Sequence, residues 1–409
     1  MENHGRLLFK VFITLGIVSL LADITYEGAR SLSGTFLNYL SAPVIAAGLL
    51  AVGELISYMM RFVGGLLTQR TRSPRVFWTY IFIGYAVNFA IPFLALTGNW
   101  LIVLMLFFIE RSGKGLRTPI RDVLLAEVSE KMGKGKGFGV HELLDQIGAT
   151  VGPLSVSIVL ASYGDNLDLG FKYSFLLLGL PVVFSLLALS YAKNLYPTPR
   201  VVLGSSQEIK IRMFRDLGRP YWIYLTGSFT TFLGFIYWGF ISYYLGDLAN
   251  IGLISVAEVA VLYTIAMASD ALVALPLGYL YDRYGLIVLQ TMPISTIFIP
   301  ILLFLSPTRI GVYVAAFLWG LAMSCTETVM KASVADIVLE KNRPIAYGLF
   351  NMIYGLAWFT SSTLYSILYQ VGSTYYIMIT ALMFEVFSMM LYTILMMYGK
   401  KTGPTIATL

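Results

Sequence analysis

Charge is scarce in this 409-residue chain: Asp, Glu, Lys and Arg make up 12% of it, about half the share usual in soluble domains. A chain that is 57% hydrophobic has too few polar groups to cover a water-facing surface. Lipid must therefore face most of it. Cysteine is nearly absent. The lone Cys325 excludes an internal disulfide and a cysteine-built metal cage, and its apolar setting reads as a buried, inert thiol. No His-rich metal motif, nucleophile elbow or phosphate loop is present, and the Gly-Lys run from Gly133 to Gly137 lacks P-loop spacing. These absences argue against an enzyme. The net charge of +6 raises the question of nucleic acid, but no basic stripe interleaved with polar surface occurs.

Long apolar runs are abundant. A membrane helix needs roughly 17 to 25 mostly apolar residues, and such runs begin near Val11, Val44, Phe77, Trp100, Gly137 and Tyr173. Six more begin near Tyr221, Val256, Ile287, Val312, Ala346 and Tyr376. Their length and lack of period-two alternation exclude a β-barrel. The fold class expected is an all-α membrane protein of twelve spans. The first run outlasts a signal peptide and is read as a retained helix.

Placement of the basic residues sets orientation. Arg70, Arg72 and Arg75, Lys131, Lys134 and Lys136, Lys193 and Arg200, Arg283, and Lys341 and Arg343 all fall in loops on the face that carries both termini. Lys172 and Arg309 fall on the other. By the positive-inside rule both termini are cytoplasmic, in an inner or plasma membrane. The longest hydrophilic connection separates two six-span bundles. The expected division is a segment 1–10, a bundle 11–193, a linker 194–219, a bundle 220–398 and a tail 399–409. Arg117 and Asp122 in span four recur as Lys331 and Asp336 in span ten, a half-to-half likeness found in transporters built from repeats.

Several motifs fall in a telling order. The loop after span eight reads Gly278-Tyr-Leu-Tyr-Asp282-Arg283-Tyr-Gly285, while its first-half counterpart, Gly65-Leu-Leu-Thr-Gln69-Arg70, has Gln in place of Asp. Span four carries Arg111-Ser-Gly-Lys114-Gly115, span five Gly148-x-x-x-Gly152-Pro153, and span one Leu21-Ala-Asp23-Ile24-Thr25. Together these resemble the major facilitator superfamily: its signature gating loop, an R-x-x-x-G motif of proton-coupled members, an antiporter motif and the acidic first helix of drug exporters. The resemblance implies a monomer of two bundles that rock about a cavity lined by spans 1, 4, 7 and 10. Independently, Gly148 and Gly152 lie one turn apart, so a neighbouring backbone can approach closely, and Pro153 favours a bend.

Ionisable groups inside hydrocarbon cost a few kcal/mol each and are functional candidates. Asp23, Glu27 and Arg30 form one helical stripe; Glu110, Lys114, Arg117 and Arg121 form a second. His141, Glu142 and Asp145 start span five, and Asp270, Glu327, Lys331 and Glu385 lie in the second half. Matched depths along spans one, four and five lead us to expect Lys114 to pair with Asp145, and Arg117 with His141 and Glu142. Asp23, Glu27, Glu110 and Arg111 are the expected proton-coupling or cation-binding groups. The others form a charge network that either takes part in transport or only locks the bundle. His141 is expected as a polar cap at its helix start. Glu54 and Glu385 are expected to reach the headgroups from helix ends. Phe232, Phe235, Tyr237 and Trp238 in span seven, with Tyr354 and Trp358 in span eleven, serve as cavity aromatics or as ordinary packing.

The function expected is proton-coupled antiport that exports small amphipathic or cationic organic molecules by alternating access. No cofactor is expected beyond the proton, and the partners are a small-molecule substrate and the bilayer. A divalent-metal exporter using Asp23, Glu27, His141, Glu142 and Asp145 is one alternative. An organic-anion carrier with Arg30, Lys114 and Arg117 as its clamp is a second, and a non-transporting receptor or scaffold a third.

Overall fold

In a computed structural model the protein is described over residues 2–203 and 217–402. The middle of the linker, with Lys210, Arg212 and Arg215, and the end of the tail lie outside the described residues. Helix α1 (Glu2–Ser31) and the short α2 (Ser33–Tyr39) make the first crossing, α3 (Ile45–Arg70) the second, and α4 (Pro74–Ala86), continued by tight turns to Leu96, the third. Then follow α5 (Trp100–Val128), α6 (Lys134–Tyr163), and α7 (Leu167–Leu177) with α8 (Gly179–Leu195). The second half repeats the plan with α9 (Arg219–Gly234) and α10 (Trp238–Asn250), α11 (Val256–Tyr284), and α12 (Thr291–Pro300) with its flanking turns. Next comes α13 (Arg309–Cys325), joined through π-helical Thr326–Met330 to α14 (Lys331–Ile337); α15 (Arg343–Gln370) and α16 (Thr374–Thr402) close the bundle. The result is twelve crossings, with no strand among the described residues. The leading segment 1–10 is not a separate stretch: α1 is helical from Glu2.

Eight segments pass a test of length and apolarity, one of them, Val256–Leu305, long enough for two crossings. The remaining three crossings depart from it for readable reasons. Four charges, Glu110 to Arg117, interrupt α5; α9 and α10 are parted at Phe235–Tyr237; α15 is diluted by Asn351 and a run of hydroxyl residues. Several helices that start at the face opposite the basic loops carry side-chain caps: Asn99 accepts from Leu101 N at 2.9 Å and Thr308 from Gly311 N at 3.0 Å. Ser255 forms a capping box with Glu258. At the basic face α4 and α9 begin on Pro74 and Pro220 instead, where a missing N–H costs nothing.

The halves meet through α2 with α10, α3 with α15, and α6 with α11. At the face opposite the basic loops this seam is tight. Thr35 Oγ1 donates to Ser242 O at 2.7 Å, Tyr243 Oη to Ala42 O at 2.7 Å, and Asn38 Nδ2 to Asp247 Oδ1 at 2.7 Å. Trp238 Nε1 reaches Ser31 O at 3.2 Å. A methyl added at Gly34 would stand 2.0 Å from Gly239 O, and one at Gly48 2.7 Å from Ser366 Oγ. Towards the basic loops the same helices diverge: Gly65, Gly139, Gly278 and Gly348 have no atom of a neighbouring element within 4 Å of such a methyl. The molecule is closed at one face and open at the other.

Candidate functional site

Divergence of the halves leaves a cavity of about 400 Å³ between them, reaching from Arg30 and Trp358 at its deep end to Phe138 and Lys331 at the open face. Its walls come from α1, α3, α5 and α6 on one side and from α11, the α13–α14 crossing and α15 on the other. Asp23, Glu27, Arg30, Lys114, Arg117, His141, Glu142, Asp145, Glu327, Lys331, Tyr354 and Trp358 all line it.

At the closed end the stripe on α1 meets a carboxylate from α3. Arg30 stands 3.6 Å from Glu27 and 3.5 Å from Glu54, and Glu54 is 3.5 Å from Arg111, which is itself 3.5 Å from Glu110. Tyr237 and Trp358 present their rings to the Arg30 guanidinium at 5.6 and 5.8 Å. This chain of alternating charge ties α1, α3 and α5 together. Breaking one member would leave a buried charge without its partner.

Nearer the mouth a second group forms around Arg121, which bonds Ser19 Oγ at 2.6 Å and Asp122 at 2.8 Å and stands 3.7 Å from Asp145. His141 Nε2 lies 3.5 Å from Asp145, and neither ring nitrogen forms a hydrogen bond. Lys114 instead lies over the face of Tyr26, 3.6 Å from its centroid. Asp23, although 8% exposed, forms no hydrogen bond or ion pair among the described residues. Among the described residues, two hydrogen bonds between side chains cross between the halves beside the cavity. Tyr263 Oη on α11 donates to Glu27 on α1, and Gln146 Nε2 on α6 donates to Asp270 on α11 at 3.3 Å.

Comparison with known proteins places this geometry. The Major Facilitator Superfamily model matches residues 12–252 and 223–407. An uncharacterized protein of Mycobacterium tuberculosis is 34% identical over 397 residues, covering 95% of this chain and 92% of that one. An uncharacterized MFS-type transporter of Methanocaldococcus jannaschii is 24% identical over 383 residues, covering 91% of each. The chain belongs to the major facilitator superfamily. It is accordingly a multi-pass membrane transporter rather than an enzyme. The crystal structure of the nucleoside transporter NupG aligns with a TM-score of 0.74 at 15% identity, covering 95% of this chain and 98% of that one; at that identity it speaks for the fold alone.

Against the facilitator template several expectations need correction. Span seven contributes no described residue to the wall of the central cavity. Phe232, Phe235, Tyr237 and Trp238 stand one layer back, because the break after Gly234 turns them into packing against Tyr354, Trp319, Trp358 and Tyr263. Their place around the cavity is taken by spans two, five, eight and eleven. Glu110 and Arg111 do not line it either; Glu110 is wholly buried beside Arg111. Arg117 pairs with no acid: its Nη1 donates to Gly84 O at 2.8 Å and Asn88 Oδ1 at 2.9 Å, anchoring α5 to span three. Lys114 faces Tyr26 rather than forming an ion pair with Asp145. The arginines of the supposed anion clamp are thus engaged elsewhere. Among the described residues no three His, Cys, Asp or Glu side chains could hold a metal ion.

Glu54 and Glu385 do not reach headgroups. The first is a junction of the ion chain, and the second is wholly buried against Gly234. His141 is no exposed cap but a buried cavity residue. In the signature loop, Gly278 has open space around it, Asp282 is exposed without a partner among the described residues, and Arg283 lies over Tyr284. Such a loop is disengaged.

Gly148 and Gly152 meet α1. A methyl on Gly152 would stand 2.3 Å from Ile24 O, and one on Gly148 2.4 Å from Leu20 O; Pro153 follows, buried. Gly152→Ala is therefore expected to cost about 1–3 kcal/mol by overpacking. A thermal melt of the purified protein should show it against Gly139→Ala, which meets nothing and should melt like the wild type.

Proposed function

We propose that the protein is a proton-coupled secondary transporter of the plasma membrane, captured open to the cytoplasm, that exchanges protons for a small polar or cationic organic solute. The observation that carries this reading is the position of Asp23 and Glu27. Both border the central cavity; the first has no hydrogen bond or ion pair among the described residues, and the second accepts from Tyr263 across the two halves. A carboxylate at such a seam changes its partners when the halves rock, so its proton affinity follows the conformation. Glu110 and Arg111 act through Glu54 as positioning residues for Arg30. Half of the residues on the cavity wall are charged, and acids outnumber bases among them, which favours polar and cationic solutes over lipophilic ones. Cytoplasmic orientation of both termini and of the open mouth follows from the basic loops.

The test is flux in proteoliposomes under an imposed pH gradient, after substrate-induced proton release has identified solutes from a panel. Asp23→Asn and Glu27→Gln should each lower gradient-driven uptake at least about tenfold, while solute exchange without a gradient persists. Undiminished gradient-driven flux in both variants would remove the proton-coupling role.

A further inference from the structure

Three of the carboxylates on the cavity wall have no part in the proton-coupling site or in the group around Arg121. Glu142 comes from α6, Asp270 from α11 and Glu327 from the π-helical turn between α13 and α14, so the group straddles the two halves. They lie close enough for each to act electrostatically on another, and none has an ion pair among the described residues. Asp270 is 3% exposed, with Gln146 as its side-chain partner at 3.3 Å. A π-helical turn in an otherwise α-helical span redirects the side chains it carries and recurs at functional sites; here it carries Glu327. The cations that act on Glu327 are Lys331, exposed one turn nearer the mouth, and Lys114 of α5, which lies over Tyr26.

Two further groups point to a ligand of definite chemistry. His141, buried to 3% exposure and adjacent to Glu142, faces the same cavity with both ring nitrogens free of hydrogen bonds; a neutral imidazole there can accept an N–H. Tyr354 and Trp358, the latter with its ring towards Arg30, line the deeper part of the same cavity. Carboxylates and an open acceptor suit an organic ammonium group, and the aromatic wall suits the hydrocarbon part that such a solute carries. Among the described residues no three acids or histidines are placed to hold a metal ion, which leaves an organic cation as the ligand these carboxylates suit.

We infer that Glu142, Asp270 and Glu327 form a seat, shared by the two halves, for the ammonium group of the transported solute, and that its occupation draws the open mouth shut. Empty, the like charges repel across the seam and hold the halves apart. A bound cation attracts both sides and favours closure by its preference for the closed form. This inference rests on the transport reading above and names the solute's chemistry.

The antiparallel register of α6 and α11, set by the bonds Ser157–Ala257 and Gln146–Asp270, places Gly139 opposite Gly278 across the mouth. Both positions have open space. Spin labels on Gly139→Cys and Gly278→Cys in the full-length protein in nanodiscs therefore report the width of the mouth; Cys325 is buried and needs no replacement. At fixed pH, 2-phenylethylamine should raise the short-distance population about tenfold, whereas 2-phenylethanol and phenylacetate should leave it unchanged. Removing the charges by Glu142→Gln, Asp270→Asn and Glu327→Gln together should close the mouth without ligand and abolish the response to the amine. Glu327→Gln alone should do so in part, and it serves if the triple variant does not fold.

An unchanged distance distribution in the charge-neutralised variants overturns the seat. Closure of the wild type by phenylacetate, or an equal response to 2-phenylethanol and the amine, overturns the ammonium assignment. Since width is read without flux, failure here is separate from failure of Asp23 and Glu27 to couple protons.

Discussion

Replacing Gly34 by alanine should turn the transporter over, opening the face that is now sealed and closing the one that is open. The added methyl would sit 2.0 Å from Gly239 O and 2.4 Å from Tyr243 N. Both are backbone atoms of α10 and cannot swing aside. Overpacking of this kind costs about 1–3 kcal/mol, and contact with backbone puts the case at the upper end. Only the conformation in which α2 lies against α10 bears that cost, so about 3 kcal/mol becomes a change of about a hundredfold in the ratio of the two states. The seal's hydrogen bonds, Thr35–Ser242 and Asn38–Asp247 among them, are lost together because one approach of two backbones makes them all. Labels on Tyr39→Cys and Ile251→Cys, exposed at the sealed face, should move apart in Gly34→Ala, and net transport should fall at least about tenfold with the cycle trapped on one side. Gly239→Ala meets ends of side chains, Tyr237 Cε1 and Leu50 Cδ1, and should shift the balance less. Gly65→Ala, with open space, should not shift it at all. A wild-type distance in Gly34→Ala would mean that the seal does not depend on close approach at this glycine.

How far the sequence could be read follows from which interactions are local. Apolar runs and basic loops depend on lipid and potential alone, and they located the twelve spans even where four charges interrupt α5. Stripes on one helix were equally legible, which is why Asp23, Glu27 and Arg30 emerge together on the cavity wall. Partners on other helices were not. Arg117 has a carboxylate within reach on paper, but its partners are a carbonyl and an amide of span three, Gly84 and Asn88; no pattern of charges encodes a carbonyl. Glu54 was legible and misread. It lies nine residues into α3, about 14 Å from the start and so at mid-membrane, by the same depth arithmetic that placed Asp23. Glu385, eleven residues into α16, yields to the same count. Span seven misled because its aromatic density is the same whether the rings face a cavity or each other; the break at Phe235–Tyr237 decides it, and only Gly234 hints at the break. Asp270 stood in view as a membrane acid, but its meeting with Gln146 across the seam depends on how two bundles dock.

Arg111 provides the second large effect, this time on stability. Its side chain is buried to 4% exposure and holds two carboxylates, Glu54 and Glu110, each at 3.5 Å, with the ring of Tyr26 5.1 Å from the guanidinium. Glu110 is wholly buried and has no other ion pair among the described residues. Arg111→Met keeps much of the volume and removes the charge, so Glu110 is left as an isolated buried anion and Glu54 keeps only Arg30. Removing one partner of a buried pair costs about 3–5 kcal/mol, whereas removing both can be neutral. Arg111→Met should therefore express poorly and melt well below the wild type, and Glu110→Gln added to it should restore most of the loss. Recovery of the melting temperature without recovery of pH-gradient-driven flux would then separate the two duties of Arg111. The folded double variant still lacks the charge that holds Glu54, and through it Arg30 and Glu27, in place. If the double variant melts no higher than the single one, Glu110 does not carry the penalty, and the ion chain from α1 to α5 would have to be held by Glu54 alone.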